Sequence, residues 1–318
     1  MALGVKSFHG GWGALQVQRS IQSRKRSKDV SELKGICVPI CTPFKDNGAA
    51  LDEGALAANI DSLIDAGIHI IAVNGGTGEF PFLTETEKRR IAEIAGKRIN
   101  GRAKLIVQTS ALRTEDAIDN SKHARDAGAD ALLILPPFFE GPGEPGVRYH
   151  YEQISKAVAT PIMVYNIPQY TGFDITPDVF KRFSEIDNVK YIKDSTSNMM
   201  RIDQLSAQGA KVFNGCDYLN FYSLVSGAPG VFTGSGNAVP KQLVKLYDLV
   251  QAKNLAEAAA LWLKLRPLSL LLWTSPFNPV AKAASTKTGR PVGECRLPVL
   301  PLTEAEVKLV DEALAAAA

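Results

Sequence analysis

Eight short apolar, β-branched runs recur through the chain, each followed by a longer amphipathic stretch, and this alternation limits the possible folds more than any other feature. The runs are Ile36–Thr42, His69–Val73, Lys104–Gln108, Ala131–Leu135, Pro161–Asn166, Val189–Lys193, Lys211–Asn214 and Gly230–Thr233. Helical patterns lie near Asp52–Ala66, Thr84–Arg98, Thr114–Ala127, Val147–Val158, Thr176–Ser184, Arg201–Gln208, Tyr218–Ser226 and Pro240–Gln251. Strand and helix in strict alternation build a parallel sheet covered by helices. Eight such units over about 220 residues predict an α/β fold, a closed (β/α)8 TIM barrel. A doubly wound open sheet fits less well, because no glycine fingerprint follows the first strand. End signals agree with the helix limits: Thr84 stands three before Glu87, Gly67 and Gly128 follow helix ends, and Pro177 follows Thr176.

Past the eighth unit, patterns around Leu255–Trp273, Asn278–Lys287 and Glu304–Ala317 predict additional C-terminal helices beside the barrel. Leu268–Trp273 is expected to be buried there or in a subunit contact, and the alanine tail Ala313–Ala318 to fray. The expected organisation is a basic extension over residues 1–34, the barrel over 35–252 and a helical layer over 253–318. A hydrophobic share of 45% in 318 residues is ample for so large a core.

The charge is unevenly placed. Residues 1–28 hold six basic residues and no acid, so the rest of the chain carries −3 against +3 overall. A slightly acidic body does not suggest a nucleic-acid partner, and none is expected. The basic leader reads as a transit segment or, more simply, as an upstream extension of the start. No apolar run reaches the about 18 residues a membrane helix needs, so a protein with no membrane partner is expected. Cys37, Cys41, Cys216 and Cys295 lack metal-ligand spacing and read as reduced thiols of a cytoplasmic protein. Cys37 and Cys41, four apart in one predicted strand, are expected to face the same way as core filling.

In a barrel, chemistry gathers at the C-terminal strand ends. The sixth run, Val189-Lys190-Tyr191-Ile192-Lys193-Asp194-Ser195, ends in a lysine. Alternation puts Val189, Tyr191 and Lys193 on one face, the inward one. Such a lysine is either an ion-paired structural cation or a partly desolvated amine that attacks a carbonyl carbon. One strand away Tyr165 ends the fifth run, where its hydroxyl could move a proton or simply fill the core. Gly75-Gly76-Thr77-Gly78-Glu79 after the second run is a tight loop whose amides suit a carboxylate or phosphate, or a plain turn. Phe232-Thr233-Gly234-Ser235-Gly236-Asn237 after the eighth is another small-residue loop that lets a ligand approach the backbone.

Together these motifs resemble the dihydrodipicolinate synthase and N-acetylneuraminate lyase superfamily of class I aldolases, over about residues 35–305. The likeness rests on Gly75–Glu79, on Tyr165-Asn166-Ile167-Pro168-Gln169-Tyr170-Thr171-Gly172, on Lys193-Asp194-Ser195, and on Asn278-Pro279 with Arg296-Leu297-Pro298 and Pro301-Leu302. What the resemblance implies is a Schiff base between Lys193 and a 2-oxo acid, with Tyr165 as proton shuttle. It also implies carboxylate binding by Thr77 and the Gly76–Thr77 amides, no metal or organic cofactor, and a homo-oligomer, tetrameric in the family.

Departures from that pattern bear on the substrate. Dihydrodipicolinate synthases resemble one another in carrying a hydroxyl residue at the place of Gly76, a tyrosine at Phe139 and an arginine at Tyr170. Phenylalanine cannot relay a proton, and tyrosine cannot give arginine's bidentate charged contact. The Gly-Gly-Thr-Gly-Glu-Phe loop looks more like members acting on 2-keto-3-deoxy sugar acids, and Gly78–Thr84 like 4-hydroxy-2-oxoglutarate aldolases. Gly76, Gly78, Phe139, Tyr170, Phe232 and Ser235 are therefore expected around the substrate. The loop Phe138–Arg148, with Gly141-Pro142-Gly143-Glu144-Pro145-Gly146 as an irregular turn, is expected to tune specificity. Two other readings stay open: dihydrodipicolinate synthesis itself, and a barrel that binds a 2-oxo acid without catalysis.

Overall fold

A computed structural model describes Met1 and residues 32–318. The basic run Arg19–Lys28 and His9 lie outside the described residues. The barrel lies in the compact unit Glu32–Ala318.

The barrel strands are β1 (Gly35–Pro39), β2 (Ile70–Val73), β3 (Lys104–Gln108), β4 (Ala131–Ile134), β5 (Ile162–Asn166), β6 (Val189–Asp194), β7 (Lys211–Asn214) and β8 (Gly230–Phe232). Each pairs in parallel with its neighbours, and β1 pairs with both β2 and β8, which closes the ring. Closure leaves no sheet edge, so the open-sheet alternative is set aside. The barrel helices are α1 (Glu53–Asp65), α2 (Glu85–Ile99), α3 (Thr114–Asp126), α4 (Gly143–Ala157), α5 (Pro177–Phe183), α6 (Met199–Ala207), α7 (Asn220–Val225) and α8 (Pro240–Gln251). Beyond them come α9 (Leu255–Thr274), α10 (Phe277–Lys287) and α11 (Glu304–Ala316). None of the described helices is long and apolar enough to cross a membrane.

Alternation along the strands sorts the core into two shells. Cys37, Ile70, Ile106, Met163, Tyr191 and Phe213 fill the barrel interior. Val38, Ile71, Leu132, Val164, Ile192 and Val231 face the helices and join a larger outer cluster. Each fully buried aliphatic side chain contributes roughly 1.5–3 kcal/mol. Local signals set the helix limits as expected. Thr84 and Glu87 form a capping box at α2, the Thr176 side chain accepts from Val179 N at α5, and Gly67 and Gly128 take positive φ just past α1 and α3.

Four expectations need correction. Val189 does not share a face with Tyr191 and Lys193: β5 pairs Ile162 with Val189 but Met163 with Tyr191, so Lys190 is bulged out and Val189 turns into the outer shell. Cys37 and Cys41 do not point the same way, because β1 ends at Pro39; Cys37 lies inside the barrel and Cys41 in the outer shell. The glycine- and proline-rich stretch is only partly loop, since α4 begins at Gly143. Pro145 falls in the first turn, where its missing N–H had no intrahelical acceptor anyway. The alanine tail is helical to Ala316 and buries Ala313 and Ala317. In α9, Leu268 and Leu272 are buried, whereas Leu270 and Trp273 are exposed.

Candidate active site

Lys193 sits at the C-terminal end of β6 and Tyr165 at that of β5, directly opposite each other across the ladder. Both point into the barrel and are 7% and 8% exposed. Among the described residues the Lys193 ammonium has neither an ion-pair nor a hydrogen-bond partner. It faces two aromatic rings, 3.9 Å from the Tyr165 centroid and 4.6 Å from that of Phe232. Such ring faces attract a cation by about 0.5–2 kcal/mol, far less than a buried carboxylate would. Of the two readings of this lysine, the geometry favours the amine that no carboxylate holds. Directly beneath, burial pushes the Cys37 thiol well up, against the pull of the Lys193 charge.

Gly215, just after β7, makes room for this side chain: a Cβ there would meet Lys193 Cε at 2.8 Å and the Ser195 hydroxyl closer still. The backbone is pinned alongside, with Gly215 N donating to Asp194 O at 2.7 Å.

The loop after β2 is a succession of turns. Gly78 N donates to Gly75 O and Glu79 N to Gly76 O, both at 3.0 Å, while Glu79 adopts a left-handed conformation at φ 59°. Thr42 Oγ donates to Gly78 O at 2.7 Å and Asn278 Nδ2 to Gly76 O at 3.1 Å. Among the described residues, the Gly76 and Thr77 N–H groups and the Thr77 hydroxyl have no hydrogen-bond partner. Beneath the loop, Glu79 and Lys282 of α10 form a fully buried ion pair at 2.7 Å. Arg296 N donates to the second Glu79 oxygen at 2.9 Å, and Lys282 Nζ to Glu294 O at 2.8 Å.

The remaining expected residues are placed variously. Phe232 lines the Lys193 pocket. Gly78 is buried under the loop, and Gly76 is exposed with open space where a Cβ would be. The Ser235 hydroxyl is buried against Thr233 Oγ at 2.8 Å rather than free for a ligand. Asp217 organises that loop by accepting from Thr233 Oγ, Gly234 N and Ser235 N. Phe139 and Tyr170 stand at 84% and 80% exposure, so neither ring packs into this chain's own pocket.

Two groups of residues escaped the sequence reading. One is the Glu79–Lys282 pair, separated by so much chain that no spacing rule could find it. The other surrounds Asn166, a buried amide one residue past Tyr165. Its Nδ2 donates to Asp194 Oδ2 at 2.9 Å and Asp174 Oδ1 at 3.1 Å, and its Oδ1 accepts from Ile175 N at 2.9 Å. Arg201 grips Asp174 bidentately at 2.8 and 3.0 Å and holds that carboxyl below its usual range. Burial raises the Asp194 carboxyl, against hydrogen bonds from Thr196 and Asn166. A polar residue at a strand end beside a functional one was the available signal.

The closed barrel, with an unpaired lysine and a tyrosine at its C-terminal strand ends, first defines a (β/α)8 protein that carries its polar site where barrel enzymes do. The profile of the Dihydrodipicolinate synthetase family matches residues 32–317. The chain belongs to that family, whose members are lyases. It is 32% identical over 285 residues to the 4-hydroxy-tetrahydrodipicolinate synthase of Methanococcus maripaludis strain C6, covering 89% of this chain and 98% of that one. With the synthase of Geotalea uraniireducens the identity is 35% over 282 residues, covering 87% and 96%. Among solved structures, dihydrodipicolinate synthase from Aquifex aeolicus superimposes with a TM-score of 0.84 at 31% identity, over 89% of this chain and 97% of that one. A prophage protein of the same family from E. coli K12, solved in complex with pyruvate, gives 0.84 at 30%, over 89% and 98%.

Proposed function

We propose that the protein is a Schiff-base-forming lyase in which Lys193 condenses with the 2-oxo group of pyruvate or a pyruvate-derived acid. The observation that carries this reading is the Lys193 amine, buried without a carboxylate and 3.9 Å from the Tyr165 ring. The free amides of Gly76 and Thr77, with the Thr77 hydroxyl, bind the substrate carboxylate. The neutral amine attacks C2, and the carbinolamine loses water as Tyr165 passes a proton to the departing hydroxyl. The resulting iminium withdraws electrons from the adjacent C3: in cleavage the C4 hydroxyl gives up its proton and the C4 fragment departs as an aldehyde or ketone, leaving the C3–C4 electron pair in the enamine, and in dehydration C3 loses a proton and the enamine then expels the C4 hydroxyl as water. Reprotonation at C3 and hydrolysis of the imine return the lysine and a 2-oxo acid.

The favoured substrates are 2-keto-3-deoxy sugar acids and 4-hydroxy-2-oxoglutarate, for aldol cleavage, condensation or dehydration. Support comes from the glycine at position 76 and from Phe139 and Tyr170 standing where dihydrodipicolinate synthesis would use tyrosine and arginine. The second reading, 4-hydroxy-tetrahydrodipicolinate synthesis, is favoured by the names of the relatives at 30–35% identity. Under either reading the enzyme is cytoplasmic and homo-oligomeric, as a tetramer. Borohydride with pyruvate should add a three-carbon mass to the Lys193 peptide, and the Lys193→Ala variant should take none. An adduct on that variant, or no adduct on the native protein, overturns the mechanism. A panel of 2-keto-3-deoxy sugar acids, 4-hydroxy-2-oxoglutarate, and pyruvate with aspartate semialdehyde separates the two substrate readings.

A further inference from the structure

The bulge at Lys190 creates a register problem that the strand sequences alone do not solve. Below it, Ile162 pairs with Val189; above it, the ladder is shifted by one, with Tyr165 opposite Lys193 and Asn166 opposite Asp194. Had the ladder continued without the bulge, Tyr165 would stand opposite Ile192 and Asn166 opposite Lys193. A one-residue slip sends every side chain to the other face, so Lys193 would leave the barrel interior. Val189, Tyr191 and Ile192 are buried on one shell or the other in the observed pairing and discriminate weakly between the two registers, whereas Lys190, exposed as observed, would turn into the barrel beside Met163 in the slipped one and also opposes it.

We infer that Asn166 and Asp194 are positioning residues, and that the hydrogen bond between their side chains selects the register that brings Lys193 beside Tyr165. Four observations converge on it. The two side chains occupy the outward face at the ladder position immediately above the Tyr165–Lys193 pair, and Asn166 Nδ2 reaches Asp194 Oδ2 at 2.9 Å. Both residues are buried, so a slipped register would take from Asn166 one of its acceptors and turn the Asp194 carboxylate to the other face, away from its amide partner. Each is held from its other side: Asn166 by Asp174 and Ile175 N, Asp194 by Thr196 N and Oγ. The main chain repeats the tie, since Ser195 N donates to Asn166 O at 2.9 Å. Every donor and acceptor of the Asn166 amide is used in this register, and the Arg201–Asp174 pair anchors the assembly to α6. The pin touches no substrate; it acts through the two strands that carry Tyr165 and Lys193.

The inference rests on the imine chemistry proposed above only for its rate readout, so two measurements are paired. Amide hydrogen exchange at Ser195 reports the register directly, and the rate of borohydride trapping with pyruvate reports the geometry of Lys193. Asn166→Asp places two acceptors face to face. Asp194→Asn sets the Asn166 donor and the two Thr196 donors against a single acceptor. Each should raise Ser195 exchange and slow trapping at least tenfold. The exchanged pair, Asn166→Asp with Asp194→Asn, restores one donor facing one acceptor between the strands while the Asp174 carboxylate still opposes the new one at 166, so it should recover part of both losses, a rescue that simple loss of packing would not give. If a single variant does not fold, Thr196→Ala, which loosens Asp194 without altering either partner, should still raise Ser195 exchange several-fold. Unchanged Ser195 exchange in the folded variants, or losses that multiply in the exchanged pair, overturns the inference. A native protein that traps no pyruvate refutes the imine reading, and Ser195 exchange then decides the register pin by itself.

Discussion

Gly215→Ala tests whether the Lys193 side chain is confined as tightly as the structure requires. The added Cβ would lie 2.8 Å from Lys193 Cε, where ordinary contact begins near 3.4 Å, so Cε must move by about 0.6 Å, and the buried Ser195 hydroxyl by more. Overpacking of this size costs about 1–3 kcal/mol. At about 2–4 °C of Tm per kcal/mol for a domain this large, calorimetry should show a drop of several degrees with the fold retained. The chemistry should suffer more than the stability. Displacing a reacting group by about 1 Å can cost on the order of 100-fold in rate, so trapping of pyruvate at Lys193 should slow by roughly 10- to 100-fold. Gly54→Ala is the control: the new methyl meets only Asp52 at ordinary distance in the first turn of α1, so trapping should be unchanged and Tm equal or slightly higher. Trapping at the native rate in Gly215→Ala, with Tm lowered, would show that the lysine is not confined by this contact.

Tyr165→Phe keeps the ring over Lys193 and removes only the hydroxyl, so turnover and the exchange of pyruvate C3 hydrogens for deuterium should fall at least tenfold with Tm nearly constant; native exchange rates would remove the proton-shuttle role. Lys282→Met strands the Glu79 charge in a fully buried position and should destabilise by about 3–5 kcal/mol in urea titration, with Glu79→Gln added to it recovering at least half; a loss under about 1 kcal/mol for the single change would show that the pair is not desolvated. Burial lowers His150 to about 4, below its unfolded value of about 6.5. The unfolded chain therefore binds the proton first, so this contribution is complete above about pH 6.5 and is lost as the pH falls toward 4, up to about 3 kcal/mol. Replacing His150 by Asn should flatten the difference between urea titrations at pH 7 and 4.5; an equal acid loss in both proteins would refute the assignment.

The barrel was legible because β-branched runs and amphipathic stretches report burial locally, and each unit repeats that report. Lys193 and Tyr165 were legible for the same reason, since strand alternation places them on one face at neighbouring strand ends. Val189 shows where this logic stops: the bulge at Lys190 arises from pairing with β5, and nothing in the run itself marks it. Gly143–Gly146 misled in the other direction, because turn-forming residues are harmless in the first turn of a helix, where backbone donors have no intrahelical acceptor. Ser235 looked available as a small residue on a strand-end loop, but its hydroxyl is engaged by Thr233, a contact set by the Asp217 carboxylate after β7. Asn166 and Lys282 needed three-dimensional neighbours before their polarity acquired a purpose.

The Glu79–Lys282 pair also sets an order in time. A chain growing from its N-terminus completes the Gly75–Glu79 loop when less than a third of the protein exists, yet the counter-ion of Glu79 and the Arg296 amide that caps it arrive only near the end. Asn278, which holds the Gly76 carbonyl, arrives equally late. The loop whose amides the proposed carboxylate site uses is therefore braced by residues that are synthesised last, from α10 onward.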